Sequence, residues 1–268
     1  MLSVIIPASN EQDYIARCLT ALFSSTIEGE CIVVANGCRD ATADRARAME
    51  PRANGWTLTV LDLAQGGKPN ALNAGDAAAT HTIRAYLDAD VTVSAPLMAE
   101  LTAALTPATP LYATGTARIP RPASAVTRAY ARFWQRLPFA QSPAPGYGLF
   151  ATNAMGRARW AEFPAIISDD TFVRLHFAAS ERIQTSAPYD WPMIEGFAAL
   201  TRVRRRQDAG VKEIAQLYPA LLDREAKPRL SAPHLAKLAL SDPAGFATYA
   251  AVSLATRLKS SAGWTRGR

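Results

Sequence analysis

Thr82-Ile83-Arg84-Ala85-Tyr86-Leu87-Asp88-Ala89-Asp90 is a short, largely apolar run that ends in two carboxylates. It reads as a strand, and in an open α/β sheet ligands bind in the crevice outside the carboxyl ends of the strands. If the strand persists to its last residue, period-two alternation turns Asp88 and Asp90 to one side. Two carboxylates that close repel each other unless a cation sits with them. Oxygen ligands of this kind select a hard ion, Mg²⁺ or Mn²⁺, which keeps waters and binds through one or two carboxylates plus substrate phosphates. The same Asp-x-Asp is also ordinary turn and cap chemistry, so the flanking chain has to decide between the two.

Upstream, Leu2-Ser3-Val4-Ile5-Ile6-Pro7 is a β-branched run stopped by proline, hence a first strand. Ala8-Ser9-Asn10-Glu11 follows as a loop, with Asn10 suited to cap a helix whose apolar face is Tyr14, Cys18, Leu19 and Leu22. A second buried strand runs over 30–35 and a third over 56–63. A helix lies between them near 43–49. Gly66-Gly67-Lys68-Pro69-Asn70 reads as a loop before a small-residue helix over 71–79. Strands that alternate with helices imply a parallel sheet with right-handed crossovers, so the fold class is α/β.

Downstream, a helix after Pro96 runs to about residue 105, and 111–119 alternates as a strand. Val126, Tyr130, Phe133, Trp134 and Leu137 fall on one helical face, with Arg128, Arg132 and Arg136 as a separate stripe. Such a helix is either core or an amphipathic surface for an anionic membrane. Gly146-Tyr147-Gly148 follows a proline-rich loop. Ile166-Ile167-Ser168-Asp169-Asp170 precedes a helix over 171–179, and 182–187 reads as a further strand. Arg202 to Arg206 is a basic run on a helix, and beyond Tyr218 the chain is helical and basic.

The bulk properties exclude some classes. At 268 residues with 49% hydrophobic and 19% charged residues, the composition is that of a globular protein rather than a disordered one. No apolar run is long enough to span a bilayer and no charged-then-apolar leader opens the sequence, so a cytoplasmic protein is expected. Cys18, Cys31 and Cys38 have no metal-type spacing and read as reduced thiols. The net charge of +6 fits phosphorylated ligands or a membrane surface. A nucleic-acid module is disfavoured, because few aromatics interleave with the scattered basic residues.

The order of these pieces resembles family 2 of the inverting glycosyltransferases, which have the GT-A fold. The matching segments are Ser3 to Glu11, Asn36 to Asp40, Gly67 to Asn73, Asp88-Ala89-Asp90, Gly146-Tyr147-Gly148 and Asp169-Asp170. The resemblance implies a Rossmann-like, mostly parallel central sheet flanked by helices. It implies a glycosyltransferase domain over 1–220 and leaves 221–268 as a basic helical extension.

It also implies roles. Pro7, Ala8, Asn10 and Glu11 would hold the base and ribose. Asn36 stands where the family usually has an aspartate that accepts from the base, and an amide can both donate and accept. Lys68 would reach the diphosphate. Asp90 would ligate Mn²⁺ or Mg²⁺, and Asp88 would touch the ribose or the sugar. Gly148 suggests close backbone approach to the sugar. Asp169 would lie at the acceptor side, and Asp170, as the second acid, would be the catalytic base. Either Ser168 or Asp169 is placed to cap the helix, leaving Asp170 to project. Arg206 would clamp phosphates. Many relatives carry Gln-x-x-Arg-Trp there. Here the glutamine and tryptophan are not in place and Gln207 follows Arg206, which argues against a processive polysaccharide synthase.

The expected reaction is transfer of one sugar from a nucleotide diphosphate sugar to a hydroxyl acceptor, a sugar or a lipid-linked one, such as a cell-envelope glycan precursor. The alternatives are a non-catalytic nucleotide-sugar-binding protein and a sugar nucleotidyltransferase. The latter would want a glycine-rich loop with a basic residue right after the first strand. The basic tail leaves open a peripheral seat on the cytoplasmic face of the inner membrane.

Overall fold

The computed structural model describes residues 1–50, 53–225, 228 and 230–258. The first half is a run of parallel strands and helices: β1 (Leu2–Ala8), α1 (Ile15–Phe23), β2 (Glu30–Asn36), α2 (Thr42–Arg47), β3 (Thr57–Leu63), α3 (Lys68–Ala78) and β4 (Ile83–Leu87). Their order across the sheet is β3-β2-β1-β4, all parallel, so all four carboxyl ends open on one edge. Ile5, Ile32 and Val34 face one apolar cluster while Val4, Ile6, Cys31 and Val33 face the other. Both faces are covered, which is why these strands read as unbroken apolar runs rather than alternating ones.

The second half extends and curls the sheet. It contains β5 (Thr92–Val93), α4 (Leu97–Ala104), β6 (Tyr112–Arg118), α5 (Ala125–Trp134), β7 (Leu149–Thr152), α6 (Ala154–Arg157), α7 (Asp169–Arg174), β8 (Arg182–Asp190), α8 (Phe197–Leu217), α9 (Ala232–Ser241) and α10 (Pro243–Leu258). The eight-stranded order is β3-β2-β1-β4-β7-β6-β8-β5. β7 runs antiparallel to β4 and to β6, and pairs Leu149 with Leu87.

Two expectations are corrected, and two stretches left open are assigned. β4 stops at Leu87, so Asp88 and Asp90 lie in the turn beyond it and the period-two argument does not place them. α3 begins at Lys68 with Pro69 in its first turn, a position where proline's missing N–H costs nothing. β7 is a strand in a stretch to which the sequence assigned no element. The aromatic face of α5 is core: Phe133 and Leu137 are fully buried and Tyr130 nearly so, against Phe246, Tyr249 and Val252 of α10. Its arginine stripe is spent inside the molecule. Arg132 pairs with Asp242 at 2.7 Å, Arg136 donates to Ser241 Oγ, and Arg128 donates to the Pro122 and Ala123 carbonyls. That helix therefore offers no amphipathic face to a membrane.

The expected 221–268 extension is described as far as residue 258, except for 226, 227 and 229; residues 259–268 lie outside the described residues. Among the described residues no helix is long and apolar enough to cross a membrane. α5, α8 and α10 form a helical layer over the sheet's carboxyl edge. Glu195, just before α8, accepts from the N–H groups of Ala123 and Ser124 at 2.8 and 3.0 Å and so pins the two helix starts together.

Candidate active site

A cavity of about 720 Å³ lies between the sheet edge and the helical layer. Its floor is made by the strand-end loops: Pro7, Ser9, Asn10 and Glu11 after β1, Asn36 at the end of β2, Gly66 and Gly67 before α3, and Asp88-Ala89-Asp90 after β4. Its roof comes from α5, from the segment after β8 and from α8. A smaller pocket of about 20 Å³ adjoins it. The two share Pro7, Lys68 and Asp88, and the smaller one adds Gly146, Gly148, Asp169 and Asp170.

Lys68 ties the two together. Its ammonium lies 2.9 Å from Asp88 Oδ1 and 3.2 Å from Asp169 Oδ2. Burial alone would lower its pKa, but the carboxylates of Asp169 and Asp88 outweigh that and keep it charged. Asp169 is only 5% exposed. Burial pushes its carboxyl up to about 6, against the pull of Lys68 and with added repulsion from Asp170 and Asp88. Asp170 is less buried and faces the small pocket. Its Oδ1 accepts from the Thr171 N–H at 2.6 Å, while the Ser168 side chain makes no cap bond. The cap expected of Ser168 or Asp169 is thus not formed, since Asp169 is engaged by Lys68. The Ile167 N–H donates to Glu213 on α8 at 2.8 Å and anchors the approach to α7.

Several expected binding residues are differently employed. Asn36 is 2% exposed and bonds the backbone at both ends. Its Nδ2 donates to the Ala8 and Val34 carbonyls at 2.9 and 3.3 Å, and its Oδ1 accepts from the Gly67 N–H at 3.0 Å. Both amide hydrogens are consumed, so Asn36 cannot donate to a base as an unconstrained amide would. Ala8 is a buried core residue off the cavity wall, and its carbonyl is the anchor for Asn36. Asn10 sits at φ 57°, accepts from the Arg39 N–H at 2.8 Å, and its buried Nδ2 finds no partner among the described residues. Arg206 lines the cavity, and its buried Nε is likewise without a partner among them.

Gly148 has a packing role besides the expected one. At φ 67° its carbonyl accepts from the Asp88 N–H at 2.8 Å. A Cβ there would meet Trp191 Cδ1 and Val91 Cγ2 at 2.8 Å. The glycine makes room for the Trp191 ring, and it also lines the small pocket beside Asp169 and Asp170.

The family model for glycosyl transferase family 2 matches residues 3–162, more than half of the chain. The chain belongs to that family. AglE, a glycosyltransferase of Haloferax volcanii, is 36% identical over 92 residues, which is 33% of this chain and 30% of that protein. The 4,4'-diaponeurosporenoate glycosyltransferase of Staphylococcus haemolyticus is 33% identical over 90 residues, 34% of this chain and 24% of that protein. The chain thus matches under a third of the length of these curated relatives. Among solved structures, the Pyrobaculum calidifontis mannosyltransferase PcManGT, in complex with GDP-Man and Mn²⁺, superposes with a TM-score of 0.60 at 20% identity, over 97% of this chain and 76% of that one. Glucosyl-3-phosphoglycerate synthase of Mycobacterium tuberculosis, with Mn²⁺ and UDP, gives 0.53 at 20%, over 85% and 81%. The fold of this family 2 member is GT-A.

Among the described residues no three of His, Cys, Asp and Glu cluster as a complete metal cage. The donor set still suits a hard ion, because Mg²⁺ and Mn²⁺ complete their shell with water and phosphate oxygens. Asp88 and Asp90 both lie on the cavity wall, and Lys68 engages only one oxygen of Asp88.

The roof escaped the sequence reading. Trp134, Trp191, Met193 and Ile194 line it. A signal existed: Trp191-Pro192-Met193-Ile194 is an apolar run directly after β8, where a strand-end loop would normally be polar.

Proposed function

We propose that this chain is a glycosyltransferase that moves one sugar from a nucleotide diphosphate sugar to a hydroxyl acceptor with inversion. The observation that carries this is the Lys68 bridge between Asp88, on the cavity wall, and Asp169, beside Asp170. It joins a site for an anionic donor to a carboxylate pair able to handle a proton. Family membership and the nucleotide-sugar complex of PcManGT support the same reading.

Each residue takes a role its surroundings allow. The nucleotide lies on the strand-end loops of Pro7 to Glu11 and Asn36. Lys68 and Arg206 are the cations for the diphosphate, and Arg206 brings an unpartnered buried N–H to it. Asp90, with Asp88 beside it, holds Mn²⁺ or Mg²⁺, which when bound stabilises charge on the diphosphate as a Lewis acid. Asp169 is the buried counter-charge that fixes Lys68. Asp170 is the general base. The acceptor oxygen gives its proton to the Asp170 carboxylate and forms the new bond to the anomeric carbon, as the bond from that carbon to the diphosphate breaks on the opposite face. The electron pair leaves with the nucleoside diphosphate. The nucleotidyltransferase alternative is disfavoured because Pro7-Ala8-Ser9-Asn10-Glu11 offers neither glycines nor a basic residue.

The test is calorimetric titration of UDP, GDP and dTDP with and without Mn²⁺, on the chain and on Asp90→Asn. The expected result is metal-dependent tightening for at least one nucleotide that Asp90→Asn abolishes. Equal binding with and without metal in both proteins would remove Asp90 from the role.

A further inference from the structure

The cavity's two sides differ in chemistry. The sheet side carries Asn10, Lys68, Asp88 and Asp90; the helical side is Trp134, Trp191, Met193, Ile194, Leu200 and Val203. Arg204, which also lines it, is already engaged: Nε donates to Asp208 at 3.0 Å, and Nη1 lies 3.4 Å from the hydroxyls of Tyr130 and Tyr249. Arg206 and Gln207 close the same side further along α8; between them and the sheet edge, the stretch from Trp134 and Trp191 to Val203 presents aromatic face and aliphatic carbon.

Trp191 is held rigidly. Its ring stacks on Tyr147 at 5.1 Å and 21°, Trp134 closes at 5.9 Å, and its backbone N–H donates to the Arg118 carbonyl at 2.8 Å. Gly148 touches the ring and bonds Asp88. One glycine therefore separates the apolar wall from the carboxylate end of the site. Whatever lies along the wall abuts the place where the sugar would be transferred. A sugar ring could lay its C–H face on Trp191, but its edge hydroxyls would then meet Met193, Ile194, Leu200 and Val203, whose side chains offer no partner, which is costly. An apolar body gains by the same burial.

Building on the glycosyltransferase reading, we infer that the acceptor is an alcohol on an apolar body, of the prenyl or long-chain kind. Its body lies on the Trp191 wall and its hydroxyl reaches the acidic end. A rigid aromatic floor with aliphatic sides suits a flexible, methyl-branched chain, because such a pocket grips by area rather than by directed bonds.

Farnesol is the probe, and binding is followed by tryptophan fluorescence of the full chain without donor, so the result does not depend on turnover. The expected result is saturable binding of farnesol with none of glucose at the same concentration. Trp191→Phe should remove most of the signal. Val203→Asn, polar but uncharged, should weaken farnesol about ten- to hundred-fold, the worth of one large apolar contact, with the nucleotide diphosphate affinity changed less than about two-fold. Val203 is half-buried and outside the described hydrophobic clusters, so that variant tests the wall without testing the fold. Absence of farnesol binding in a chain that still binds nucleotide and hydrolyses a donor would overturn this inference alone. So would a matching loss of nucleotide affinity in Val203→Asn, which would assign the wall to the base. Farnesol binding without transfer from any nucleotide sugar would overturn the glycosyltransferase reading, and the acceptor role with it.

Discussion

Lys68 Nζ and Asp169 Oδ2, 3.2 Å apart, join the first turn of α3 to the first turn of α7, two helices about a hundred residues apart in sequence. The pair is unequal. Asp169 is almost wholly buried while Lys68 keeps about a third of its side chain in solvent. Removing the lysine strands a buried acid, whereas removing the acid frees a cation that can still reach Asp88.

Lys68→Met should therefore cost about 2–3 kcal/mol of stability, less than a fully buried broken pair because Lys68 is partly solvated. It should also weaken nucleotide diphosphate binding. In Lys68→Met combined with Asp169→Asn, the stability should return and the affinity should not. Urea melts and nucleotide titrations of the three variants separate the two effects. If the double variant recovers affinity as well, Lys68 acts only as the partner of Asp169.

A second ion pair sets acid sensitivity away from the site. Arg159 makes a forked contact with both oxygens of Glu181 and holds its carboxyl down at about 2, with the Ala178 N–H assisting. A folded-state pKa below the unfolded value of 4.5 means that this stabilisation is full above 4.5 and fades as pH falls from there toward 2. Thermal melts at pH 7, 4.5 and 2.5 should show the main loss between the last two. Arg159→Ala should flatten that step while lowering stability at pH 7.

The parallel half of the sheet was legible because β1, β2 and β4 are apolar on both faces; β2 ends at Asn36 and β4 just before Asp88, while β1 runs one residue past Pro7 to Ala8. What was not legible is contact made at a distance. Asp88 leaves the strand because β4's last ladder partner is Leu149, and its next N–H goes to the Gly148 carbonyl. β7 is four residues behind a proline-rich loop, too short to show a period. Lys68 reads as loop because two glycines precede it, although Pro69 marks the start of a helix. The aromatic stripe of α5 has the same spacing whether α10 or a lipid covers it. Trp191 meets Asp88 only through a glycine that chain order sets far from both.

Asn36 bears on base choice. Both of its hydrogens go to backbone carbonyls, and one lone pair of Oδ1 takes the Gly67 N–H. The remaining lone pair can only accept. A base seated there has to donate to it, through the ring N–H of uracil, thymine or guanine or through the amino group of cytosine or adenine, so Asn36 alone selects weakly. Competition among UDP, GDP, dTDP, CDP and ADP should show at least two nucleotides binding within about ten-fold of each other; a strong, exclusive UDP response would show that groups other than Asn36 set the base. Asn36→Asp should be destabilising by about 1–3 kcal/mol, because it sets a carboxylate against two buried carbonyls that lose their donor.

The choice of catalytic acid turns on how the two aspartates are employed. Asp169 is sealed from solvent and tied to Lys68, so taking a proton there would break a buried ion pair. Asp170 is open to the small pocket, and Oδ1 is engaged by the Thr171 N–H. Successive side chains at a helix start diverge by about a hundred degrees, so the two cannot serve one acceptor hydroxyl equally. Asp170→Asn should lower transfer by about 10²–10⁴-fold, the usual worth of a general base, with nucleotide affinity kept, because Lys68, Arg206 and Asp90 hold the diphosphate. Asp169→Asn should act mainly on affinity and stability through Lys68, with a smaller loss of turnover at saturating donor. Measuring turnover and nucleotide affinity on both variants distinguishes the roles. Near-normal turnover in Asp170→Asn beside a dead Asp169→Asn would reverse the assignment, and normal turnover in both would leave the pair a purely structural start to α7.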